Sequence, residues 1–197
     1  MATNDSNQPN LIVLGGPNGA GKSTVAPLLL RDELRLMEFV NADVIAQGLS
    51  GFHAEGAAIA AGRVMLARIK DLMTRRVNFA FESTLASRSL VGVIHDARTS
   101  GFRIAVVFLW LSGPDVAVAR VRERARQGGH SVPEDTVRRR YHRGIENLFR
   151  LYRPLANEWR FYDNSGTDGP RLIARGRAGS DEEIIDDKTW RRARPSE

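Results

Sequence analysis

The chain of 197 residues contains no cysteine, and this absence removes several classes of chemistry at once. Disulfide bonds, thiol nucleophiles and thiolate metal sites all require cysteine, so none of them can operate in this chain. No apolar run approaches the roughly 18 residues that a membrane-spanning helix needs. The first ten residues lack the basic start and the apolar stretch of a signal peptide. We therefore expect a cytoplasmic protein with no membrane partner.

Lysine is also scarce, since it occurs only at positions 22, 70 and 188. The net charge of +6 is therefore carried almost entirely by arginine. The forked guanidinium group suits recognition of phosphate oxygens, but proteins that bind nucleic acids are rich in arginine too. Composition alone leaves both a phosphate-binding enzyme and a nucleic-acid-binding protein open.

Short apolar segments alternate with longer segments of helical periodicity, which is the pattern of βαβ units. Strands are predicted at residues 11–14, 38–41, 78–81, 104–111 and 159–162, with a weaker sixth at 171–174. Helices are predicted at residues 23–36, 55–75, 88–99, 114–126 and 133–152, and a polar tail with a short terminal helix follows. We expect one domain over residues 1–197, an α/β fold in which helices flank a mostly parallel sheet of five to six strands.

A glycine-rich turn joins the first predicted strand to the first predicted helix, in the sequence LIVLGGPNGAGKST over residues 11–24. Gly16, Gly21, Lys22 and Ser23 match the P-loop motif G-x-x-x-x-G-K-S/T. The glycines let backbone N–H groups form a concave nest for phosphate, and the helix N-terminus adds partial positive charge. Lys22 can reach the β- and γ-phosphates, and the Ser23 hydroxyl can bind Mg²⁺. We predict that ATP and Mg²⁺ bind the loop residues Gly16, Pro17, Asn18, Gly19, Ala20, Gly21, Lys22, Ser23 and Thr24.

Two missing motifs narrow the class of P-loop protein. The guanine-reading motif N/T-K-x-D is absent, because neither Lys70 nor Lys188 is followed two positions later by Asp. The apolar strand predicted at residues 104–111 runs into Ser-Gly-Pro rather than an acidic pair, which argues against motor and transporter ATPases. Small-molecule kinases remain, and the expected architecture is the three-layer fold of P-loop kinases.

Two carboxylates follow predicted strands, at the edge where ligands gather in an open parallel sheet. Asp43 could accept the proton of an acceptor hydroxyl, or it could instead cap the short helix that follows. Glu82 could bind Mg²⁺ together with Ser23, or it could bind the acceptor, and Thr84 could bind the acceptor as well. A solvated Glu82 and a helix-capping Thr84 are the alternatives.

Eight arginines lie between residues 120 and 143, on two predicted helices that meet at Gly128 and Gly129. In a kinase such a segment closes over the nucleotide, and its arginines stabilise charge on the transferred phosphoryl group. A solvated basic face is the alternative, and spacing does not tell which helix face looks inward. We predict a lid over residues 120–143 with His130 as a hinge contact. Arg120 and Arg124 are predicted to be catalytic, and Arg126 is predicted to contact the nucleotide.

The strand predicted at residues 159–162 ends in the polar turn Asp-Asn-Ser-Gly. Asn164 in this turn is predicted to flank the adenine ring, and an ordinary Asn-Ser-Gly turn is the alternative.

Taken together, these motifs resemble the zeta-toxin family of P-loop kinases. The resemblance covers residues 11–166 and rests on the P-loop, on Asn41-Ala-Asp43, on Phe81-Glu-Ser-Thr84, and on Gly-Gly-His-x-Val-Pro followed by Arg139-Arg-Tyr141. It implies that ATP phosphorylates the 3′-hydroxyl of the sugar in UDP-N-acetylglucosamine, or of a related sugar nucleotide. In that family the reaction is carried by the loop lysine, by the Asp of the N-A-D segment and by two lid arginines. The first two map onto Lys22 and Asp43.

The resemblance also implies further contacts and a partner. Asn41 would bind the acceptor together with Asp43, Glu82 and Thr84, and an antitoxin protein would be a partner. The short Gly-Gly-His lid is of the type seen in compact chromosomal members, which lack a long acceptor-binding extension.

Two other functions stay open at this stage. A small-molecule kinase could take a different acceptor, such as a sugar acid, a nucleoside or an antibiotic. A nucleic-acid-binding ATPase would also explain the arginine content and the pI near 10.4. The arginines, however, concentrate in one segment and lack the interleaved aromatic residues on which bases stack.

Overall fold

A mixed sheet of seven strands lies at the centre of the computed structural model, which describes residues 8–27, 38–50, 56–129 and 131–195. The strands are β1 Asn10–Gly15, β2 Glu38–Val40, β3 Phe79–Ser83, β4 Arg103–Trp110, β5 Glu158–Asp163, β6 Arg171–Arg177 and β7 Glu183–Ile184. Their order in space is β2-β3-β1-β4-β5-β6-β7. The first five of these are parallel, whereas β6 and β7 pair antiparallel. The predicted α/β fold is confirmed, with one strand more than the sequence indicated among the described residues.

Helices flank the sheet. They are α1 Lys22–Ala26, α2 Ala42–Leu49, α3 Ala58–Thr74, α4 Ser89–Thr99, α5 Pro114–Arg126, α6 Glu134–Asn147 and α7 Asp187–Ala193. Helices α3, α4 and α5 keep close to the predicted bounds, whereas α2 had no predicted bounds. The α-helix predicted at residues 133–152 ends earlier, because a π-helical turn, Leu148–Tyr152, and a 3₁₀ turn, Arg153–Leu155, replace its last part. Most of the helix predicted at 23–36, Glu55 and the predicted hinge residue His130 lie outside the described residues.

The position of β1 in the sheet explains where ligands can gather. This strand is buried over Leu11–Leu14 and lies between β3 and β4, where the order of the strands reverses. In an open parallel sheet the crevice at such a reversal, beyond the carboxyl ends of the strands, is the usual ligand site. The parallel register places Glu82 of β3 beside Leu14 of β1, immediately before the glycine-rich loop.

Helix α3 shows why the helical periodicity was informative. Its buried side chains are Ala61, Met65, Ile69 and Leu72, which recur every three or four residues along one face. Across the part of the chain that the structure describes, no helix is both long and apolar enough to cross a bilayer.

Helix α7 packs on β5 through aromatic contacts. Trp190 of α7 stacks on Trp159 of β5, with ring centroids 5.5 Å apart and planes 7° apart. The same indole meets Phe161 edge-on at 5.2 Å, so α7 covers this part of the sheet. Strand β7 was not predicted, because it has only two residues and both are exposed, which leaves no apolar alternation to detect.

Candidate active site

The glycine-rich loop takes the backbone conformation that its glycines allow. Gly16 and Gly21 have φ values of +148° and +80°, which side-chain-bearing residues rarely adopt. A Cβ atom on Gly16 would collide with the Leu109 carbonyl, and one on Gly21 would lie 2.8 Å from the Asn164 amide nitrogen. The loop is therefore packed tightly against β4 and against the turn after β5. Asn18, Gly19, Gly21, Lys22, Ser23 and Thr24 line a cavity of about 600 Å³, and Gly16, Pro17 and Ala20 are buried in the loop.

Lys22 folds back over this loop. Its Nζ donates to the carbonyls of Gly16 at 2.9 Å and Pro17 at 3.0 Å, and it lies 3.6 Å from Glu82 Oε1. Burial lowers the pKa of the Lys22 ammonium, and the nearby Arg124 guanidinium lowers it further, while Glu82 and Asp43 act in the opposite direction. A buried cation beside a second cation is a strong attractor for a polyanion such as a triphosphate.

Glu82 is held at the centre of a polar network at the end of β3. Its Oε2 accepts hydrogen bonds from Ser23 Oγ and from Asn41 Nδ2, both at 2.8 Å. Glu82 is therefore held by hydrogen bonds, and the alternative of a solvated Glu82, raised from the sequence, is wrong. The parallel pairing of β3 with β1 and β2 produces this network, since Phe81 lies opposite Val13 and Val40.

Asp43 lies in the first turn of α2 and lines the cavity with an exposed side chain. The N-cap of α2 is Asn41, whose Oδ1 accepts from the backbone N–H groups of Asp43 and Val44 at 2.8 and 3.3 Å. The alternative of Asp43 as the helix cap is therefore wrong. Its carboxylate is left facing the same space as the P-loop.

The oxygen donors of Ser23 and Glu82 fit the binding of nucleotide-bound Mg²⁺. This ion prefers oxygen ligands, and it is commonly held by one or two protein groups together with substrate phosphates and water. No cluster of three or more His, Asp or Glu side chains suited to a metal occurs in the described ranges. The residues thus fit a metal that arrives with the nucleotide rather than one caged by protein.

Five arginines from two helices line the same cavity. They are Arg120 and Arg124 of α5 and Arg139, Arg140 and Arg143 of α6. The remaining arginines of the predicted lid are engaged elsewhere: Arg122 pairs with Glu134, and Arg138 pairs with Glu134 and with Asp115 at 2.7 Å. The structure does not bring the predicted nucleotide contact Arg126 into the cavity, since its exposed side chain lies 3.5 Å from Glu123.

Arg120 is occupied by the turn that follows β5. Its guanidinium donates to the carbonyls of Asn164 at 2.7 Å, Ser165 at 2.9 Å and Gly166 at 3.1 Å. The Asn164 amide in turn donates to the Ala20 carbonyl at 2.8 Å. These bonds connect α5, the turn and the P-loop, so Arg120 and Asn164 hold the loop in place.

The segment 83–87 at the end of β3, which includes Thr84, forms one wall of the cavity, and helix α6 together with the π-helical turn that follows it fixes this segment. Asn147 Nδ2 donates to the Leu85 carbonyl at 2.8 Å, and the Tyr152 hydroxyl donates to the Ser87 carbonyl. Leu85 is fully buried and has a φ of +57°, a conformation that costs energy for a branched side chain and needs such support.

Sequence reasoning missed several residues of this wall. Met65 of α3 and Leu90 of α4 follow helical spacing and were indistinguishable from core positions. Arg139, Arg140 and Arg143 belonged to the arginine-rich stretch, and only the rotation of α6 against the sheet shows that they face the cavity. The cavity-lining residues that were not predicted are Ala42, Met65, Ser83, Ala86, Ser87, Leu90, Arg139, Arg140 and Arg143.

Comparisons with known proteins bear on the family and the fold of this chain. An uncharacterised protein of Haemophilus influenzae is 28% identical over 134 residues, which is 68% of this chain and 94% of that protein. The complex of AvrRxo1-ORF1 with AvrRxo1-ORF2, solved with sulphate ions, matches with a TM-score of 0.78 and 14% identity over 94% of this chain and 63% of that one. The same complex with ATP gives a TM-score of 0.75 and 15% identity over 96% and 64% of the two chains. This chain thus spans less than two thirds of the length of that neighbour.

A third comparison is with the PezAT chromosomal toxin–antitoxin system of Streptococcus pneumoniae, with a TM-score of 0.66 and 14% identity over 94% of this chain and 78% of that one. At such identities the likeness shows a shared fold. Residues 11–147 match the family of AAA domains, AAA_33, and this range begins in β1 and includes the P-loop, Asp43, Glu82 and all five cavity arginines. Because the match covers more than half of the chain, the protein belongs to this family, and its fold is that of the P-loop kinases.

Proposed function

We propose that this protein is an ATP-dependent phosphotransferase that moves the γ-phosphoryl group of ATP onto a hydroxyl of a small acceptor. The observation that carries the proposal is the convergence of three kinds of group on one cavity. The P-loop lysine and serine, the carboxylates of Asp43 and Glu82, and five arginines all line it. Phosphoryl transfer needs this combination, because it depends on positioning and on the neutralisation of phosphate charge.

Each residue has a role in this reaction. Lys22 binds the β- and γ-phosphates, and Ser23 with Glu82 would hold Mg²⁺, which supplies charge neutralisation at the phosphate oxygens when bound. Asp43 accepts the proton of the acceptor hydroxyl as its oxygen forms a bond to the γ-phosphorus. The bond from that phosphorus to the bridging oxygen breaks, and ADP leaves with the electron pair. Arg124 stabilises the charge on the transferred group.

The proposed acceptor is a sugar nucleotide, with UDP-N-acetylglucosamine as the first candidate. Support comes from the motifs shared with the zeta-toxin family and from the three cavity arginines of α6, which suit the phosphates of such an acceptor. An antitoxin partner is part of the proposal, because the PezAT neighbour is a toxin–antitoxin system. A cytoplasmic location, where ATP is abundant, belongs to it as well.

The experiment that tests this function is a screen of labelled ATP against sugar nucleotides, simple sugars, sugar acids, nucleosides and antibiotics. Mass spectrometry of the product identifies the phosphorylated hydroxyl. We expect label to be transferred to a sugar nucleotide. Transfer of label to a different compound would keep the kinase assignment and make that compound the acceptor in place of the sugar nucleotide. ATP consumption with no labelled organic product would refute the kinase assignment.

Two substitutions test the assigned roles. Lys22→Ala removes the cation on the phosphates and is expected to abolish transfer, whereas Lys70→Ala, on the exposed side of α3, is the matched control. Asp43→Asn is expected to leave the affinity for ATP near that of the wild type and to remove turnover, as measured by calorimetry and by single-turnover transfer. Normal turnover in Asp43→Asn would overturn the assignment of the base.

A further inference from the structure

The side-chain amide of Asn41 bonds at both ends to different parts of the site. Its Oδ1 accepts from the backbone N–H groups of Asp43 and Val44. Its Nδ2 donates to Glu82 Oε2 at 2.8 Å and lies 3.4 Å from Ser23 Oγ. The side chain is only 6% exposed. One amide therefore joins helix α2, which carries Asp43, to the carboxylate of β3 and to the hydroxyl of the P-loop helix.

We propose that Asn41 is a positioning residue, which fixes the carboxylate of Asp43 relative to Glu82 and Ser23 and makes no contact with the acceptor. This inference rests on the proposed function, in which Asp43 is the base. A side-chain amide offers two acceptor sites on oxygen and two donors on nitrogen. Two backbone N–H groups take the first pair, and Glu82 and Ser23 take the second. Asn41 lines the cavity with little exposed surface, and we assign it this positioning role in place of the direct contact with the acceptor that the resemblance implies.

The packing of α2 explains why such a connection is needed. The helix has eight residues, of which Ala46 is buried and Ala42 and Ile45 pack against the core, whereas Asp43 and Val44 in its first turn are exposed. A displacement of about 1 Å in a reacting group can cost about 100-fold in rate. The bonds from Asn41 restrain the first turn of α2, and Asp43 sits in that turn.

The charges around Glu82 explain why a neutral amide suits this place. Lys22 lies 3.6 Å from Glu82 Oε1, and Arg124 and Asp43 are the other charged groups that act on Lys22. A second cation bonded to Glu82 would neutralise the carboxylate and weaken its attraction for a metal ion. Asn41 orients Glu82 through a hydrogen bond and leaves its negative charge available.

The decisive variant is Asn41→Asp. Asp caps helices as well as Asn does, so a residue that served only as a cap would tolerate this change. The change replaces the donor to Glu82 by a second carboxylate oxygen at hydrogen-bonding distance, and two such carboxylates either repel or share a proton. We expect kcat at saturating ATP and Mg²⁺ to fall by about 10- to 100-fold, the range typical of groups that orient metal ligands.

The Mg²⁺ dependence of the rate separates positioning from simple damage to the fold. In Asn41→Asp the Mg²⁺ concentration that gives half of the maximal rate should rise, because the Glu82 carboxylate is no longer held by the amide, whereas a fold that is only destabilised should leave this concentration unchanged. Asn78→Asp is the matched control, because it adds the same charge to the chain near the amino end of β3 and retains the oxygen that accepts from the Asn10 backbone. This control should behave like the wild type.

A double variant checks the pairing without relying on catalysis. Asn41→Asp combined with Glu82→Gln exchanges donor and acceptor, so the hydrogen bond can form in the opposite direction. We expect Asn41→Asp to lower the midpoint temperature of thermal unfolding and the double variant to recover part of this decrease. The recovery appears as a coupling free energy in the double-mutant cycle. Strictly additive midpoints would count against a direct bond between the two side chains.

The proposed function and this inference can fail separately. If the wild type transfers phosphate to no acceptor, the kinase assignment fails, and the Mg²⁺ dependence of ATP affinity, measured by calorimetry, still tests Asn41. The wild type should gain affinity with Mg²⁺, and Asn41→Asp should lose most of that gain. If instead the wild type is active and Asn41→Asp matches it in kcat and in Mg²⁺ dependence, Asn41 is only a helix cap and the inference is wrong.

Discussion

Two arginines in the last turn of α5 differ in what they face. Arg124 lines the cavity and is close enough to Lys22 to lower the pKa of its ammonium, whereas Arg126 is exposed and lies beside Glu123. We predict that Arg124→Ala lowers kcat by about 100-fold or more, the loss typical of a group that stabilises transition-state charge. Arg126→Ala, on the same helix, is the control and should keep the wild-type rate. Equal effects of the two substitutions would show that α5 contributes only a diffuse positive field.

Asp186 provides a prediction of acid sensitivity at the other end of the chain. Its carboxylate accepts from the Thr189 backbone and hydroxyl at 2.9 and 2.8 Å and pairs with Arg171 at 2.7 Å. The backbone bond from Thr189, followed by the bond from Arg171, lowers the pKa of Asp186 from 3.8 to about 2. The folded pKa lies below the unfolded one, so this group stabilises the fold fully above pH of about 4 and loses its contribution as pH falls toward 2.

The variant Asp186→Asn keeps a cap oxygen for α7 but cannot titrate. We expect the difference in unfolding free energy between wild type and variant to be constant above pH of about 5 and to shrink between about 4 and 2. Urea denaturation at a series of pH values measures it. A difference that persists unchanged at pH of about 2 would contradict the assigned role of the carboxylate.

At the scale of elements, helix α6 supports the segment 83–87, which forms one wall of the cavity. It approaches the segment 83–87 so closely that a Cβ on Gly144 would collide with the Thr84 carbonyl. Gly144→Ala should therefore displace α6 and destabilise the protein by about 1–3 kcal/mol through overpacking. The displacement outweighs the gain in helix propensity of about 1 kcal/mol.

Gly92→Ala in α4 is the matched control for this prediction. Gly92 is exposed, and a Cβ there would meet nothing within 4 Å, so the substitution should stabilise the protein by up to about 1 kcal/mol. Both free energies follow from chemical denaturation. Stabilisation by Gly144→Ala would mean that α6 is free to move away from the segment.

The sequence predicted the bounds of helices and strands better than it predicted the side-chain contacts between them. Both ends of helix α5 were predicted correctly, because Pro114 begins the helix and Gly128 follows its end. The gathering of Glu82 with the P-loop at one edge of the sheet followed from parallel strand order, but its hydrogen bonds to Ser23 and Asn41 depend on register. Register comes from side-chain packing across the sheet, which no local pattern encodes.

The arginines of the predicted lid show again that the sequence pattern does not give long-range side-chain contacts. Arg120 was predicted to act on phosphate, yet the structure bonds it to three carbonyls of a turn 44 to 46 residues away in sequence. Arg139, Arg140 and Arg143 face the cavity because α6 docks on the segment 83–87 through Asn147. Such long-range contacts are decided by the assembled fold rather than by helical spacing.

At the scale of the whole molecule, the distribution of charge separates two functions. Many surface arginines are paired with acids, as in Arg68 with Glu38 and Asp71, or Arg175 with Glu183. Arg139, Arg140 and Arg143, by contrast, make no ion pair with the residues that the structure describes, and they line the cavity. The strongest site for a polyanion should therefore be the cavity itself.

This distribution makes a competition experiment informative. We predict that a short DNA duplex binds weakly at 0.15 M salt, as judged by fluorescence anisotropy, and that ATP displaces what is bound. A nucleic-acid-binding ATPase would hold both ligands at once, and DNA would stimulate its ATPase activity. Simultaneous binding with stimulation would therefore favour that alternative over the kinase.

The stacking of Trp159 on Trp190 has an optical consequence. Two indole rings that lie nearly parallel at 5.5 Å couple their electronic transitions, and the third tryptophan, Trp110, lies 6.3 Å from Phe161 in the same aromatic cluster. The near-ultraviolet circular dichroism of the protein should therefore carry a signature of the docked α7. Because neither stacked ring lines the cavity, that signature follows the attachment of the last helix and reports little on nucleotide binding.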